Sequence, residues 1–270
     1  MKPPVERSAL VELANRLRAL HHRRQPLVLP NAWDVGSALA VEKAGAAAIA
    51  TTSSGVAASF GFPDGEELPA AEMFLIVLRI AGAVRVPVTA DLETGYGLPS
   101  DVLVDEMLRA GAAGLNVEDS DRSSPTPRLM DVEPHAERIA AIRAAARRER
   151  VPIVINARID VFLRADDEPR AHLDDAIARA VAYLAAGADC VYPISLDDPG
   201  VIGRFVRRVP GPVNVLLRPG SPSLRQLRRL GVKRISVGGG LWRQAQAMTE
   251  NVARRLLSGD GGPFAELGET

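Results

Sequence analysis

The sequence contains little cysteine and little histidine. Its 270 residues include one cysteine, Cys190, and four histidines at positions 21, 22, 135 and 172. A single cysteine excludes a disulfide framework and any zinc or iron–sulfur site made from several cysteines. Two of the histidines are neighbours in a basic patch and the other two are isolated, so a histidine-rich metal site is not expected.

An excess of charge and a long hydrophobic run are absent as well. The 33 Lys and Arg residues balance the 33 Asp and Glu residues, whereas a nucleic-acid binder usually carries a basic field. No stretch of 18 apolar residues could cross a bilayer, and residues 1–24 lack the apolar segment of an export signal. We therefore expect a cytoplasmic protein with neither a nucleic-acid partner nor a membrane segment.

The remaining composition is that of a folded chain, with 47% hydrophobic and 24% charged residues. Eight short apolar or β-branched runs alternate with longer helical patterns. Eight such βα units predict one (β/α)8 barrel, a TIM barrel of the α/β class, as a single domain over residues 1–270. The predicted strands are Leu27–Pro30, Ala46–Thr51, Val86–Ala90, Ala113–Val117, Ile153–Ala157, Cys190–Tyr192, Val213–Leu216 and Arg234–Val237.

A doubly wound sheet is the alternative fold. It would usually have a glycine-rich turn after its first strand, whereas that strand leads here into Asn31-Ala32-Trp33-Asp34. We interpret Asp34 as the N-cap of the following helix. The predicted helices are Ser8–Leu20, which precedes the barrel, and Ala70–Ala83, Ser100–Ala110, Glu133–Arg148, Leu173–Ala186 and Ser223–Leu230.

Acidic residues follow the third and fourth predicted strands. Asp91 and Glu93 come after the third strand, and Glu118 follows the fourth. Strand ends of such a barrel meet at the mouth that holds the active site, and three carboxylates there repel each other unless a cation is present. Oxygen ligands without histidine suit Mg²⁺ or Mn²⁺. The alternative is that each carboxylate is solvated or paired with an arginine.

Groups that can bind an anion occur at two other strand ends. Arg158 follows the fifth strand, and its guanidinium can grip a carboxylate through two parallel hydrogen bonds. The hydroxyls and amides of residues 52–55 can donate to a developing oxyanion. A metal, an arginine and such donors are typical of a site for a small oxyacid that passes through an enolate.

Four motifs occur in order and at barrel spacing. They are residues 52–64, residues 91–97 (Asp-Leu-Glu-Thr-Gly-Tyr-Gly), Glu118-Asp119 and residues 157–160 (Ala-Arg-Ile-Asp). Together they resemble the isocitrate lyase/phosphoenolpyruvate mutase superfamily, and residues 52–64 look like the second-strand loop of methylisocitrate lyases. The resemblance extends from Leu29 to about Leu257. It implies a barrel with an extra N-terminal helix and a swapped C-terminal helix, in a homodimer or homotetramer.

The resemblance also implies a metal. Mg²⁺ would be held by the residues that match the family's ligands, Asp91, Glu93 and Glu118, often through water. Asp64 matches a further acidic residue near the metal. Together with Arg158, which matches the arginine that contacts the substrate, Asp64 is a candidate catalytic residue.

The same resemblance implies a small 2-oxo acid as the substrate. Thr52, Ser53 and Ser54 match the segment that binds its carboxylate and enolate oxygen. Asn214, after the start of the seventh strand, is retained near the family's polar contacts and is a further candidate for substrate binding.

The sequence also departs from the family. Its lyases carry Lys-Lys/Arg-Cys-Gly-His after the fourth strand, and that cysteine acts in acid–base catalysis. Residues 119–125 read Asp-Ser-Asp-Arg-Ser-Ser-Pro, and we interpret Asp121 and Arg122 as solvated, with an acid or anion contact as the alternative. Leu216 and Leu217 replace polar contacts to substrate carboxylates, so we expect at most weak isocitrate or methylisocitrate lyase activity.

The sequence is therefore compatible with three functions. The first is a Mg²⁺-dependent lyase or decarboxylase that acts on a small 2-oxo or hydroxy acid. The second is phosphonopyruvate or phosphoenolpyruvate chemistry of the mutase or hydrolase type. The third is a homologue that binds an oxyacid without catalysis.

Overall fold

The computed structural model describes residues 6–122, 128–165 and 168–262. In chain order the strands are β1 (Leu27–Leu29), β2 (Asn31–Ala32), β3 (Ile49–Thr51), β4 (Val88–Asp91), β5 (Gly114–Glu118), β6 (Ser120–Asp121), β7 (Arg128–Leu129), β8 (Val154–Ile159), β9 (Cys190–Pro193), β10 (Asn214–Leu216) and β11 (Arg234–Ser236). All are parallel barrel strands except β6 and β7, which pair as a small antiparallel hairpin.

The parallel strands form a closed ring. They pair in the order β2-β3-β4-β5-β8-β9 and in the order β1-β11-β10. β1 and β2 are two pieces of one strand separated by Pro30, and Val191 of β9 bridges to Val213 beside β10. The predicted (β/α)8 barrel and its eight strands are therefore confirmed, and the doubly wound alternative is wrong.

Helices surround this ring. They are α1 (Arg7–His21), α2 (Val35–Lys43), α3 (Ser53–Ser59), α4 (Ala70–Ala83), α5 (Ser100–Arg109), α6 (Val132–Arg148), α7 (Val161–Arg164), α8 (Leu173–Ala185), α9 (Pro199–Arg208), α10 (Leu224–Arg229) and α11 (Gly240–Leu257). All six predicted helices are confirmed to within one residue at either end. The carboxylate of Asp34 accepts a hydrogen bond from the Ser37 amide at 2.7 Å, so its predicted N-cap role is also confirmed.

The extra helix α1 covers the N-terminal end of the barrel. Its buried face includes Leu10 and Leu17 and continues into His21, which is 1% exposed. The His21 ring contacts the Leu17 carbonyl at 2.8 Å through Nδ1 and lies 3.5 Å from a guanidinium nitrogen of Arg234 through Nε2. Together with His22, His21 belongs to the basic patch of the sequence, yet only His22 is exposed.

The long C-terminal helix α11 has no buried residue along its 18 positions. Exposed apolar side chains recur at Leu241, Met248 and Leu256, and Met248 is 64% exposed. A helix gains most of its stability from packing an apolar face against a neighbour. The swapped helix and the homodimer or homotetramer stay predictions, and we expect a second copy to pack on this stripe. Over the described ranges, none of the helices has the length and apolar character needed to cross a bilayer.

His135 on α6 is a buried histidine with an electrostatic consequence. Neither ring nitrogen finds a hydrogen-bond partner among the described residues, and the ring packs edge-on against Tyr183 at 4.7 Å. Burial, reinforced by the charges of Arg138 and Arg179, lowers the pKa of His135 to about 3. The folded protein therefore keeps this ring neutral over a range in which an unfolded histidine takes up a proton.

Replacing His135 with leucine should reduce the acid sensitivity of the fold. As pH falls from 6.5 toward 3, the unfolded chain binds a proton that the folded chain does not, so the free energy of unfolding decreases. Without this ring the decrease should be shallower by up to about 1.4 kcal/mol per pH unit. Urea unfolding at several pH values would measure it, with His22→Leu as the exposed control. Parallel curves for wild type and His135→Leu would contradict the account.

Candidate metal and oxyacid site

The predicted acidic residues meet at the C-terminal mouth of the barrel. Asp91 ends β4, Glu118 ends β5, and Glu93 follows Asp91 by two residues. Burial raises the pKa of Glu93 to about 8, and the charges of Asp64, Glu118 and Asp91 add to this effect in that order. Asp64 stands at the exposed rim, where loss of solvent around its carboxyl group and the charge of Asp91 raise its pKa. The structure therefore brings four carboxylates into one electrostatic cluster.

Asp91 is held from two sides. The backbone amide and the hydroxyl of Ser53 donate to its Oδ2 atom at 3.1 and 3.0 Å. The side-chain amide of Asn116 donates to its Oδ1 atom at 3.2 Å. Ser53, which we predicted to bind substrate, thus also fixes the orientation of Asp91.

The neighbours of Ser53 line the same mouth. Thr52 caps α3 by accepting from the Gly55 amide at 3.4 Å, and its hydroxyl lies 3.1 Å from the hydroxyl of Ser54. Thr52 is buried and Ser54 is partly exposed. Of the three, Ser54 presents the hydroxyl that is most accessible to a small ligand.

The turn that carries Glu93 depends on Glu66. Glu93 and Tyr96 both adopt left-handed backbone conformations, with φ of 50° and 57°, which non-glycine residues adopt at an energetic cost. Glu66 Oε1 accepts hydrogen bonds from the Thr94 amide at 2.9 Å, the Thr94 hydroxyl at 2.7 Å and the Tyr96 amide at 2.8 Å. The Tyr96 hydroxyl in turn donates to Glu93 Oε1 at 3.2 Å. Sequence reasoning missed Glu66, whose only signal was its position two residues after Asp64.

Two arginines contact the buried carboxylates. Glu118 is 1% exposed, and it receives Arg158 Nη1 on Oε2 at 2.6 Å and Arg122 Nη2 on Oε1 at 2.8 Å. The same Arg122 nitrogen lies 3.3 Å from Glu93 Oε2. The interpretation of Arg122 as a solvated residue is therefore wrong, because its side chain is only 23% exposed and is paired with both acids.

Arg158 is anchored as well as paired. Its Nε and Nη2 atoms donate to the two oxygens of Asp160 at 2.6 and 3.2 Å, and its side chain is 12% exposed. Asp119, next to Glu118, accepts from the Asp160 amide at 2.8 Å and from the Tyr183 hydroxyl at 2.8 Å. Asp160 thus anchors Arg158 within its own motif, and Asp119 of the neighbouring motif holds the Asp160 backbone.

Asn214 makes its side-chain contacts on the neighbouring strand β11. It is fully buried at the start of β10, and its side-chain amide donates to the Ser236 hydroxyl at 3.2 Å. Among the described residues, no hydrogen bond links it to the four carboxylates. The structure therefore buries Asn214 between β10 and β11, and its role in substrate binding stays a prediction.

The donor set fits a hydrated Mg²⁺ ion by its chemistry. All four acids offer hard oxygen ligands, and the buried Oε2 atoms of Glu93 and Glu118 face guanidinium groups without accepting a hydrogen bond from a described residue. Within the ranges that the structure describes, no three acidic, histidine or cysteine side chains already form a direct metal cage. Mg²⁺ typically keeps several waters and needs only one or two protein carboxylates directly, so the residues present are compatible with it.

The comparison with known proteins identifies the family. Residues 17–257 match the model of the phosphoenolpyruvate phosphomutase family. The chain belongs to this family. The resemblance to the isocitrate lyase/phosphoenolpyruvate mutase superfamily is thereby confirmed.

Three relatives illustrate its range. A crystal structure from Burkholderia cenocepacia J2315 shares 42% identity, with a TM-score of 0.85 over 91% of this chain and 99% of that one. The 2-methylisocitrate lyase of Bacillus subtilis (strain 168) is 31% identical over 77% of this chain and 68% of its own length. A phosphonopyruvate hydrolase crystallised with oxalate and Mg²⁺ is 26% identical, with a TM-score of 0.82 over 96% of this chain and 92% of that one.

Removing the Glu66 carboxylate should weaken cation binding without unfolding the barrel. Glu66→Ala leaves the amides of Thr94 and Tyr96 without their acceptor, so the turn that places Glu93 loses its left-handed geometry. We expect Mg²⁺ affinity to fall by about tenfold, the effect of losing one hydrogen bond to a charged group. Calorimetric titration would measure it, with circular dichroism to verify the fold. The adjacent, exposed Glu67→Ala is the matched control, and equal affinities in both variants would contradict the role of Glu66.

Proposed function

We propose that the protein is a Mg²⁺-dependent lyase that cleaves a C–C bond, or decarboxylates, in a small 2-oxo or hydroxy acid. The reaction would pass through an enolpyruvate-like intermediate. The observation that carries this proposal is the cluster of Asp64, Asp91, Glu93 and Glu118 beside the Ser53–Ser54 donors at one barrel mouth. Membership in a family that includes lyases, and a related hydrolase crystallised with oxalate and Mg²⁺, supports it.

The metal ligands would be Asp91, Glu93 and Glu118, in part through water, and Mn²⁺ could replace Mg²⁺. When bound, such an ion supplies Lewis-acid stabilisation of a developing enolate oxygen. The described contacts of Asp91 with Ser53 and Asn116 keep its carboxylate oriented toward the mouth. The Thr52–Ser54 segment would hold the carboxylate and 2-oxo end of the substrate.

Arg158 would bind the substrate with the hydrogens that its acid partners leave unused. A guanidinium has five N–H groups. Asp160 accepts hydrogen bonds from Nε and from one hydrogen of Nη2, and Glu118 forms an ion pair with Nη1 without hydrogen-bond geometry. One hydrogen on each terminal nitrogen stays available for an anionic oxygen. The bidentate contact with Asp160 keeps the guanidinium plane fixed while it does so.

The family's lyases use a loop cysteine for acid–base catalysis, and this chain offers no accessible thiol for that step. Cys190 is completely buried in β9, and burial raises the pKa of its thiol to about 12. It therefore cannot replace the missing loop cysteine, and general acid–base groups typically contribute about 10²- to 10⁴-fold to rate. Efficient cleavage of isocitrate or methylisocitrate is for this reason not expected.

A substrate screen tests the reaction. Small 2-oxo acids would be incubated with the protein and Mg²⁺, and again after EDTA treatment. We expect oxaloacetate or a similar acid to react faster than in the metal-catalysed background, and the excess rate to vanish with EDTA or in Asp91→Ala. Release of phosphate from phosphonopyruvate would instead establish hydrolase chemistry of the second kind. Binding of 2-oxo acids without any turnover would establish a non-catalytic homologue and contradict the proposal.

Oxalate, which mimics the enolate of pyruvate, tests the ligand pose. We expect oxalate to bind with Mg²⁺ and far more weakly with EDTA. Arg158→Lys keeps the charge but loses the planar fork, and it should reduce oxalate affinity by roughly ten- to a hundredfold. Arg218→Lys, an exposed arginine paired with Asp197, is the matched control. Equal affinity in wild type and Arg158→Lys, with and without metal, would reject both the metal-bridged pose and the role of Arg158.

A further inference from the structure

One nitrogen of Arg122 faces both buried glutamates of the proposed metal site. Nη2 lies 2.8 Å from Glu118 Oε1 and 3.3 Å from Glu93 Oε2. The side chains of these two glutamates are 0% and 2% exposed, so water contributes little to balancing their charge. Arg122 thus stands where the ligands of a shared cation would converge.

The surrounding chain makes room for this guanidinium. Gly65, next to Asp64, has a φ of +113°, and a Cβ at that position would lie 2.7 Å from Arg122 Nη1. The backbone conformation favours glycine, and a side chain there would push the guanidinium aside. Just before Arg122, the Ser120 hydroxyl donates to the buried Asp160 at 2.5 Å, and β6 pairs with β7. The backbone that leads into Arg122 is therefore anchored, and Gly65 leaves space for its guanidinium.

Arg158 differs from Arg122 in how firmly it is held. Arg158 has a bidentate partner in Asp160, outside the proposed ligand set, and would stay in place if Glu118 turned to a metal ion. The ion pairs that the structure gives Arg122 are with Glu93 and Glu118 themselves. A divalent ion that took the same carboxylate oxygens would repel the guanidinium and remove its partners.

We propose that Arg122 is a tethered counter-cation, which occupies the space between Glu93 and Glu118 in the metal-free protein and is displaced when a divalent cation binds. The inference rests on the proposed metal site. It means that the measured affinity for Mg²⁺ is the outcome of a competition within the chain. In this proposal Arg122 neither takes over the role of the metal during the reaction nor binds the substrate, which is the proposed role of Arg158.

Cation binding in the absence of substrate tests this inference directly. Mg²⁺ would be titrated calorimetrically into wild type, Arg122→Gln and Arg128→Gln. Arg128 on β7 is exposed and pairs with Asp121, so Arg128→Gln removes the same charge without removing a contact to either glutamate. We expect Arg122→Gln to bind Mg²⁺ about tenfold more tightly than wild type, because the competing contacts are gone, and Arg128→Gln to bind as wild type does.

Thermal unfolding supplies a second readout. Without metal, Arg122→Gln should melt below wild type, and saturating Mg²⁺ should raise its melting temperature more than that of wild type. Arg122→Lys, which keeps a charge without the fork, should give an intermediate Mg²⁺ affinity and remains informative if the glutamine variant fails to fold. Equal or weaker Mg²⁺ binding by the Arg122 variants would overturn this inference alone. Absence of Mg²⁺ binding in every protein would overturn the metal site and the inference together.

Discussion

The concentration of negative charge at the barrel mouth is the constraint on which the rest of the site depends. A buried carboxylate costs several kcal/mol unless opposite charge or hydrogen bonds compensate it. Asp91, Glu93 and Glu118 share one mouth, and burial raises the pKa of both glutamates. The guanidinium groups of Arg122 and Arg158 compensate part of this charge. The same excess makes the cluster suitable for a divalent ion.

The support for the cluster reaches through the barrel to its opposite end. Asn116, which donates to Asp91, accepts hydrogen bonds on Oδ1 from Asn156 at 2.8 Å and from Arg234 at 3.0 Å. Arg234 is completely buried, and its other guanidinium nitrogen lies 3.5 Å from His21 on the covering helix α1. A continuous polar chain thus links α1 to the orientation of Asp91, and the buried arginine adds positive charge beneath the acids.

The sequence was sufficient to predict the barrel and the acidic mouth because both depend on local patterns. Once eight βα units are recognised, Asp91 and Glu118 are expected at the same end of the barrel, because both lie at C-terminal strand ends and their position does not depend on loop conformation. Glu66 and Arg122 could not be predicted, since their roles arise from loop residues with positive φ and from contacts between loops. His21 and Arg234 belong to charged stretches of sequence, and only the docking of α1 onto the barrel buries them. The contact of Asn214 with Ser236 could not be predicted either, because it depends on how β10 and β11 pair.

We expect a divalent cation to bind among Asp91, Glu93 and Glu118 at the expense of Arg122. A crystal structure of the protein with Mn²⁺ and oxalate, in which anomalous scattering locates the metal, would test this expectation. The account predicts an anomalous peak bordered by these three carboxylates, oxalate on the metal beside Ser54 and Arg158, and the Arg122 guanidinium moved off Glu93 and Glu118. A mouth without an anomalous peak, or a peak there with Arg122 still paired to both glutamates, would contradict it.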